Sequence, residues 1–234
     1  MTSKLSVFDR TLVIAAHPDD EILGCGATMK RLCDNGAAVR TIILGEGKTS
    51  RDDQRNREAR NSDIVALRDE VRKANEIVGV TDSHVYDFPD NRFDSVMLLD
   101  IVKVIEHHVE DFQPSAVFTH FAEDMNVDHT VTNRAVLTAT RPLPGSTVQL
   151  VVAFEVLSST GWYYPHGFLP NMIVSVDEAQ LQAKEKAMDA YKSELRDYPH
   201  PRSLDAIRDL ARYRGASAGC GCAEAFVLLR LNVF

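Results

Sequence analysis

The chain has 234 residues, which is enough for one substantial α/β domain or at most two small ones. Its formal net charge of −8 argues against a nucleic-acid partner, because phosphate groups call for a basic surface. No apolar run approaches the roughly 18–20 residues of a membrane-spanning helix, and residues 1–10 lack the apolar core of a signal peptide. We therefore expect a cytoplasmic protein without a membrane span.

Apolar, strand-like segments alternate with segments of helical period through the first two thirds of the chain. Strands are predicted over residues 11–16, 38–45, 84–88, 115–120 and 148–156, and helices over 21–36, 63–78, 95–110 and 129–140. This βαβα alternation predicts a Rossmann-like α/β fold, with a mostly parallel sheet and helices on both faces. The strand order we expect is the common 3-2-1-4-5.

The C-terminal third, residues 157–234, departs from this rhythm. Residues 158–171 hold the only tryptophan and predict an irregular lid or pocket wall. A strand over 172–176, a helix over 177–195, a proline loop over 198–205, a further helix and a strand over 225–231 follow. No repeat or linker divides the chain, so residues 1–234 are interpreted as a single domain with an elaborated C-terminal third.

Three carboxylates and a histidine follow the first predicted strand, in the stretch AAHPDDEILGCG (15–26). Ligands of open parallel sheets gather beyond the carboxyl ends of the strands, where the strand order reverses. That point lies between the first and fourth strands, and the loop after the fourth strand, HFAEDMNVDH (120–129), is also rich in acids and histidines. We expect these two clusters of oxygen and imidazole ligands to converge in one crevice.

Three interpretations of the acidic turn compete. A dinucleotide turn is disfavoured, because the glycines of GCG fall inside the predicted helix and the carboxylates would repel a pyrophosphate. Helix capping explains one carboxylate, but not three together with a histidine. A catalytic zinc site needs three ligands, which His17, one of the two aspartates and His129 would supply. The second aspartate could then take a proton from the bound water, and Fe²⁺ also suits two histidines with a carboxylate.

The motif AAHPDDE followed by GCG, with a later DH, resembles the PIG-L/LmbE-type zinc-dependent N-deacetylases. The segments that extend the resemblance are DFPDNRFDS (87–95), DMNVDHTVTNRAV (124–136), ATRP (139–142) and PHPRS (199–203). Members of this family have a Rossmann-like fold and remove acetyl groups from N-acetylated sugars and sugar conjugates. The resemblance implies that His17, Asp20 and His129 bind the metal and that Asp19 is the general base.

One position departs from the family pattern. Many members carry a histidine three residues before the last ligand, in an H-x-D-H pattern, and this chain has Asn126 there. An amide can donate a hydrogen bond to an oxyanion, but it supplies neither a proton nor a positive charge. We therefore expect Asn126 to position or polarise the substrate, and Asp19 to return the proton to the leaving amine. His120 or His84 could help in acid catalysis, but each is more often a structural histidine.

Four further side chains are candidates for substrate binding. Arg51 matches, by resemblance, an arginine that reaches into the pocket. Arg92 lies beyond the third predicted strand, and Arg202 in the proline loop could bind a phosphate or a sugar hydroxyl. Trp162 could stack on the face of a sugar.

The sequence therefore predicts a metal-dependent hydrolase that removes the acetyl group from a small N-acetylated saccharide. A non-catalytic metal- or sugar-binding protein is the main alternative, which the departure at Asn126 keeps open. A hydrolase or lyase that uses the same metal on another bond is a second alternative. A homo-oligomer is compatible with the sequence, and the sugar itself is left open.

Overall fold

The computed structural model describes residues 6–164 and 167–233. The strands of the described residues are β1 (Arg10–Ala15), β2 (Ala38–Gly45), β3 (Asp82–Phe88), β4 (Ala116–His120), β5 (Leu150–Phe154), β6 (Met172–Val176) and β7 (Cys222–Leu231). Their α-helices are α1 (Asp20–Asp34), α2 (Asn61–Ile77), α3 (Leu98–Phe112), α4 (Val127–Ala139), α5 (Glu178–Ala190) and α6 (Leu204–Ser217). The alternation predicted for the first two thirds of the chain is confirmed.

One sheet contains all of these strands, in the order β3-β2-β1-β4-β5-β7-β6. Strands β1 to β5 are parallel and follow the predicted order 3-2-1-4-5. The C-terminal third extends this sheet, because β7 pairs antiparallel with β5 and with β6. This pairing supports the proposal that residues 157–234 belong to the same domain as the rest of the chain.

The sheet separates two apolar layers. The side chains of β1 alternate between them, with Val13 facing α1, α2, α5 and α6, and Ile14 facing α3 and α4. Both of these side chains are completely buried, as expected for a central parallel strand covered on both faces. The carboxyl ends of the central strands are therefore held by a rigid core, and the loops that follow them start from fixed positions.

The glycines of GCG lie inside α1 and serve packing against the sheet. A Cβ atom on Gly24 would lie 2.3 Å from the ring of Phe154 in β5, so only glycine allows this close approach. At the next residue the helix is interrupted, with Cys25 at φ −150° and ψ 23°. The interruption leaves backbone groups of α1 without partners inside the helix.

A buried ion pair satisfies those backbone groups. The carboxylate of Glu224 accepts hydrogen bonds from the N–H groups of Ala27 (3.2 Å) and Thr28 (2.6 Å). Lys184 donates to the carbonyl oxygen of Leu23 (2.7 Å) and to Glu224 (2.6 Å). The C-terminal third therefore holds the beginning of α1, the helix that follows the acidic turn, in place.

Two element boundaries differ from the prediction for physical reasons. The predicted helix over 177–195 ends at Ala190, because Tyr191 is fully buried and its hydroxyl donates to Glu21 (2.5 Å) in the core. The predicted helix over 129–140 begins at Val127, because the side chain of Asn126 caps it. Of the predicted lid at 158–171, residues 160–162 form a short 3-10 helix, while Pro165 and His166 lie outside the described residues. None of the helices in the described ranges is long and apolar enough to cross a bilayer.

Candidate active site

The loops after β1 and β4 meet at the carboxyl edge of the sheet, at the crevice predicted from the strand order. They form part of a cleft of about 210 Å³, to which the loops after β2, β3 and β5 and the C-terminal third also contribute. Its lining includes the following residues from the predicted site: His17, Asp19, Asp20, Asn126, His129 and Arg202. The two acidic clusters therefore converge as expected.

His17, Asp20 and His129 bring three ligand atoms together. Oδ2 of Asp20 lies 3.3 Å from Nδ1 of His17 and 3.2 Å from Nε2 of His129. Ligand atoms bound tetrahedrally to one zinc ion at about 2.0–2.1 Å are roughly 3.3 Å apart. All three ligand atoms lie within 4.8 Å of one another, so the side chains are close enough to share a divalent cation.

The imidazole of His129 gives an independent test of this fit. Its Nε2 atom is buried and has no hydrogen-bond partner, although Oδ2 of Asp20 is only 3.2 Å away. Buried polar atoms of proteins almost always have a partner, so a nitrogen in this state calls for one. A metal ion held between His129 and Asp20 satisfies that requirement, and the residues present fit such an ion.

Carboxylates hold the far sides of both histidine rings. Nε2 of His17 lies 2.9 Å from Oδ2 of Asp128, whose other oxygen accepts a hydrogen bond from the N–H of Phe93 (2.8 Å). Nδ1 of His129 lies 3.2 Å from Oδ1 of Asp124. Such contacts fix the tautomer and the orientation of metal-binding histidines. They leave Nδ1 of His17 and Nε2 of His129 for the ion.

A second group, His17, Asp90 and Asp128, is also close enough to hold a cation. Nε2 of His17 is its shared atom, 2.9 Å from Asp128 and 3.5 Å from Asp90. We interpret this group as support for the ring, because an imidazole that ligates through Nδ1 donates its remaining N–H to a carboxylate. Asp90 was not singled out from the sequence, although DFPDNRFDS places it directly after β3 at the same edge of the sheet.

The charges of the site act on the two central histidines in opposite directions. Burial disfavours the charged form of His129, but the carboxylates of Asp20 and Asp124 outweigh it and raise its pKa to about 9. Burial and the neighbouring His129 lower the pKa of His120 well below its usual value. His120 also accepts the N–H of Ala16 at Nε2 (2.8 Å) and stacks on the His129 ring at 3.8 Å. This is the arrangement of a structural histidine, which keeps the His129 ring in place.

Asp19 occupies an unusual backbone conformation at the start of α1. Its φ is 101°, in the left-handed region, and its side chain makes no capping hydrogen bond to the helix. Its N–H donates to Glu21 (3.2 Å), and its carboxylate instead accepts from Arg202 (3.1 Å) at the cleft. Burial and the neighbouring Asp20 raise the pKa of Asp19 well above its usual range, while Arg202 opposes them. Strain of this kind is commonly found at functional sites, which agrees with a catalytic Asp19.

Glu21, the third acid of the turn, belongs to the core. It is completely buried and accepts hydrogen bonds from the hydroxyl of Tyr191 (2.5 Å) and the amide of Asn75 (3.0 Å). Burial, the largest influence, raises the pKa of Glu21 to about 7. The carboxylates of the turn are therefore divided between the cleft, which receives Asp19 and Asp20, and the interior.

Asn126 has two contacts that fix its amide. Its Oδ1 accepts the N–H of Asp128 (2.9 Å), as the cap of α4, and its Nδ2 donates to Asn91 (2.8 Å). An amide nitrogen carries two hydrogens, so the contact with Asn91 uses one of its two donors. The position of Asn126 in the cleft is compatible with the predicted contact to an oxyanion.

The predicted substrate residues are placed differently from one another. Arg51 ends a 3-10 helix over 49–51, and its side chain lies outside what the structure describes. Arg92 donates to the carbonyl oxygen of Asp52 (3.2 Å) and is not part of the cleft lining. Trp162 is 43% exposed, and its ring lies 6.3 Å from that of His200, two residues before Arg202. Their roles in substrate binding stay predictions.

Residues 12–140 match the family model for PIG-L, GlcNAc-PI de-N-acetylase. The chain belongs to the PIG-L family. It is 28% identical over 187 residues to the uncharacterized deacetylase YaiS of Escherichia coli K12, covering 78% of this chain and 90% of that protein. It is 25% identical over 226 residues to the diacetylchitobiose deacetylase of Thermococcus kodakarensis, covering 92% of this chain and 81% of that protein.

The PIG-L fold also carries other chemistry. The crystal structure of GalB, the 4-carboxy-2-hydroxymuconate hydratase of Pseudomonas putida KT2440, superposes with a TM-score of 0.75 at 19% identity. The match covers 96% of this chain and 98% of that one. Because one fold serves different reactions, the fold alone does not select the reaction, which depends on the residues of the site.

Proposed function

We propose that this PIG-L protein is a metal-dependent hydrolase that removes the acetyl group from an N-acetylated sugar or sugar conjugate. The observation that carries the proposal is the set of His17, Asp20 and His129, spaced for one cation, beside the buried carboxylate of Asp19. Membership in a de-N-acetylase family and the similarity to two deacetylases support deacetylation rather than a hydratase reaction or sugar binding alone. A small N-acetylated saccharide is the substrate we expect.

Zn²⁺ is the ion we propose, and His17, Asp20 and His129 would hold it. Two histidines and one carboxylate also suit Fe²⁺, so the ligand set favours these two metals over Ca²⁺ or Mg²⁺. When bound, the ion would polarise the acetyl carbonyl and lower the pKa of a bound water towards about 7.

The protein's own groups then divide the proton transfers. Asp19 accepts a proton from water as the water oxygen bonds to the acetyl carbon. The amide of Asn126 donates a hydrogen bond to the oxygen that gains negative charge. The C–N bond then breaks with its electron pair going to nitrogen, and Asp19 returns the proton to that nitrogen. The products are acetate and a free amine.

Acetate release from a panel of N-acetylated saccharides tests this function. We expect release from at least one panel member by the metal-loaded protein, loss of release after chelation, and recovery on adding back Zn²⁺ or Fe²⁺. The panel should include diacetylchitobiose and a monosaccharide, and free amine should appear in equal amount. A fully metal-loaded protein that binds these saccharides but releases no acetate would contradict the proposal and support a binding protein.

Asn126→Ser separates the proposed oxyanion contact from the helix cap. Serine retains an acceptor for the N–H of Asp128, but its hydroxyl donor lies one bond closer to the backbone than the amide nitrogen. Asn126→Ala loses both acceptor and donor and should cost about 0.5–2 kcal/mol of stability. We expect both variants to lower kcat by roughly 10- to 1,000-fold, in the range of known oxyanion donors. KM should change little, since the contact strengthens mainly in the transition state.

Steady-state kinetics and thermal unfolding of the two Asn126 variants give the measurement. If Asn126→Ala keeps the kcat of the wild type, the donor lies elsewhere. Arg51 and His120 are then the next residues to change.

A further inference from the structure

A chain of buried charges connects the cleft to the C-terminal third of the molecule. Nη1 of Arg202 lies 3.1 Å from Oδ2 of Asp19 and 3.1 Å from Oε2 of Glu194. Nζ of Lys48 lies 3.0 Å from the other oxygen of Glu194. The side chains of Asp19 and Glu194 are only 5% and 8% exposed. We call Arg202 together with Glu194 the C-terminal arm.

Charged side chains of the protein lie against both residues of the C-terminal arm. The carboxylates of Asp19 and Glu194 lie against the cations Arg202 and Lys48, so each carboxylate has a cation of the protein beside it. An anionic substrate that drew Arg202 away would leave the buried carboxylate of Asp19 without this cation, which is unfavourable, whereas Glu194 would keep its contact with Lys48. These pairs support a role for Arg202 in holding the protein's own carboxylates, although its buried Nε has no hydrogen-bond partner within the described residues.

Asp19 needs such a holder because its own helix does not fix its side chain. It stands at the N-cap position of α1 but makes no capping hydrogen bond there. Within the described part of the chain, Arg202 is the only side chain that donates a hydrogen bond to the Asp19 carboxylate. Glu194 in turn accepts a hydrogen bond from the same guanidinium, which helps to hold it in the cleft.

We propose that Arg202, held by Glu194, is a positioning residue that fixes the Asp19 carboxylate for proton transfer. The proposal rests on the function given above, in which Asp19 is the base. The family match covers residues 12–140. The proposal therefore places a part of the catalytic centre beyond that match, in the C-terminal third. This positioning role is an alternative to the predicted substrate contact of Arg202, which stays a prediction.

Kinetics of Arg202→Met and Arg202→Lys give the first test. We expect Arg202→Met to lower kcat by about tenfold or more, since misplaced catalytic groups lose much of their effect, with KM changed less than about threefold. Arg202→Lys should recover part of the loss, because it retains a cation near Asp19 and Glu194. A KM effect with unchanged kcat would overturn the proposal.

Arg208→Met is the matched control. Arg208 also lies in the C-terminal third, pairs with the two carboxylates of Glu178 and Glu185, and has 24% side-chain exposure against 26% for Arg202. Arg208 is not part of the cleft lining, so the kcat of Arg208→Met should equal that of the wild type. If Arg202→Met does not fold, Glu194→Gln carries the same comparison, and a kcat loss without a KM change is again expected.

Substrate binding measured in an Asp19→Asn background separates positioning from recognition. Calorimetry with diacetylchitobiose or the best substrate of the panel gives Kd in this slow variant. We expect Arg202→Met, added to Asp19→Asn, to change Kd by less than about threefold and to cause no further loss of kcat, because residues that act as one unit are non-additive.

Each outcome of this comparison is decisive. A Kd weakened about tenfold or more, or a fully additive loss of kcat, overturns the positioning role while leaving Asp19 as the base. If Asp19→Asn alone keeps wild-type turnover, the assignment of the base and the positioning role both fall. The failure of this inference is thereby distinguished from the failure of the proposed function.

Discussion

Alanine in place of His17, Asp20 or His129 is expected to abolish tight metal binding and, with it, acetate release. Each side chain supplies one of three ligand atoms, and the loss of one leaves two, too few for a stable catalytic zinc site. Wild-type protein should contain about one Zn²⁺ or Fe²⁺ per chain, and each variant far less after dialysis. Elemental analysis of the purified proteins gives the measurement.

His107→Ala is the control for the loss of a histidine as such, because His107 is exposed on α3 and is not part of the cleft lining. Asp128→Asn tests whether Asp128 binds the metal itself or only orients the His17 ring. Its carboxylate contacts Nε2 of His17, so this variant should weaken metal affinity by about 10- to 100-fold without abolishing it. Full metal occupancy in all three alanine variants would refute the assignment, and loss in only two would make Asp128 or His120 a candidate ligand.

The location of the site could be predicted because two simple rules agree. Alternating strands and helices fix a parallel sheet, and the reversal of strand order fixes the crevice between β1 and β4. Both acidic loops follow those strands directly, so their convergence needs no knowledge of side-chain packing. The same rules place Asp90 and Asn91, after β3, at this edge of the sheet.

Which acids of the turn line the cleft and which one enters the core could not be predicted from their spacing. Asp19, Asp20 and Glu21 are consecutive, yet two reach the cleft and Glu21 enters the core. The left-handed backbone of Asp19 and the hydroxyl of Tyr191, far along the chain, decide which carboxylate goes where. Such a contact between distant segments leaves no local pattern in the sequence.

The C-terminal third was hardest to predict, for a related reason. Its strands were expected, but their antiparallel insertion beyond β5 depends on pairing with a distant edge of the sheet. Glu194 lies just after the end of α5, where the predicted helix was continued to residue 195. A helical continuation would not have indicated that this carboxylate turns towards Lys48 and Arg202.

Asp19→Asn is expected to retain the metal and lose most of its turnover. Asparagine has nearly the same shape and is among the residues that best tolerate a positive φ, so the turn at φ 101° should persist. Its amide oxygen can still accept the hydrogen bond from Arg202. It cannot take a proton from water, so kcat should fall by on the order of 10²- to 10⁴-fold.

Glu21→Gln is the control for Asp19→Asn, because it changes another buried carboxylate of the same turn. Glu21 does not line the cleft, so this variant should alter stability and leave kcat close to that of the wild type once folded. Parallel measurements of kcat and metal content on both variants therefore separate proton transfer from the loss of a buried charge. If Asp19→Asn keeps its metal and loses less than about tenfold in kcat, a smaller loss than general bases usually cause, Asp19 shapes the turn only. The base must then be sought among the other carboxylates of the cleft, beginning with Asp90, whose Oδ1 is 3.5 Å from His17.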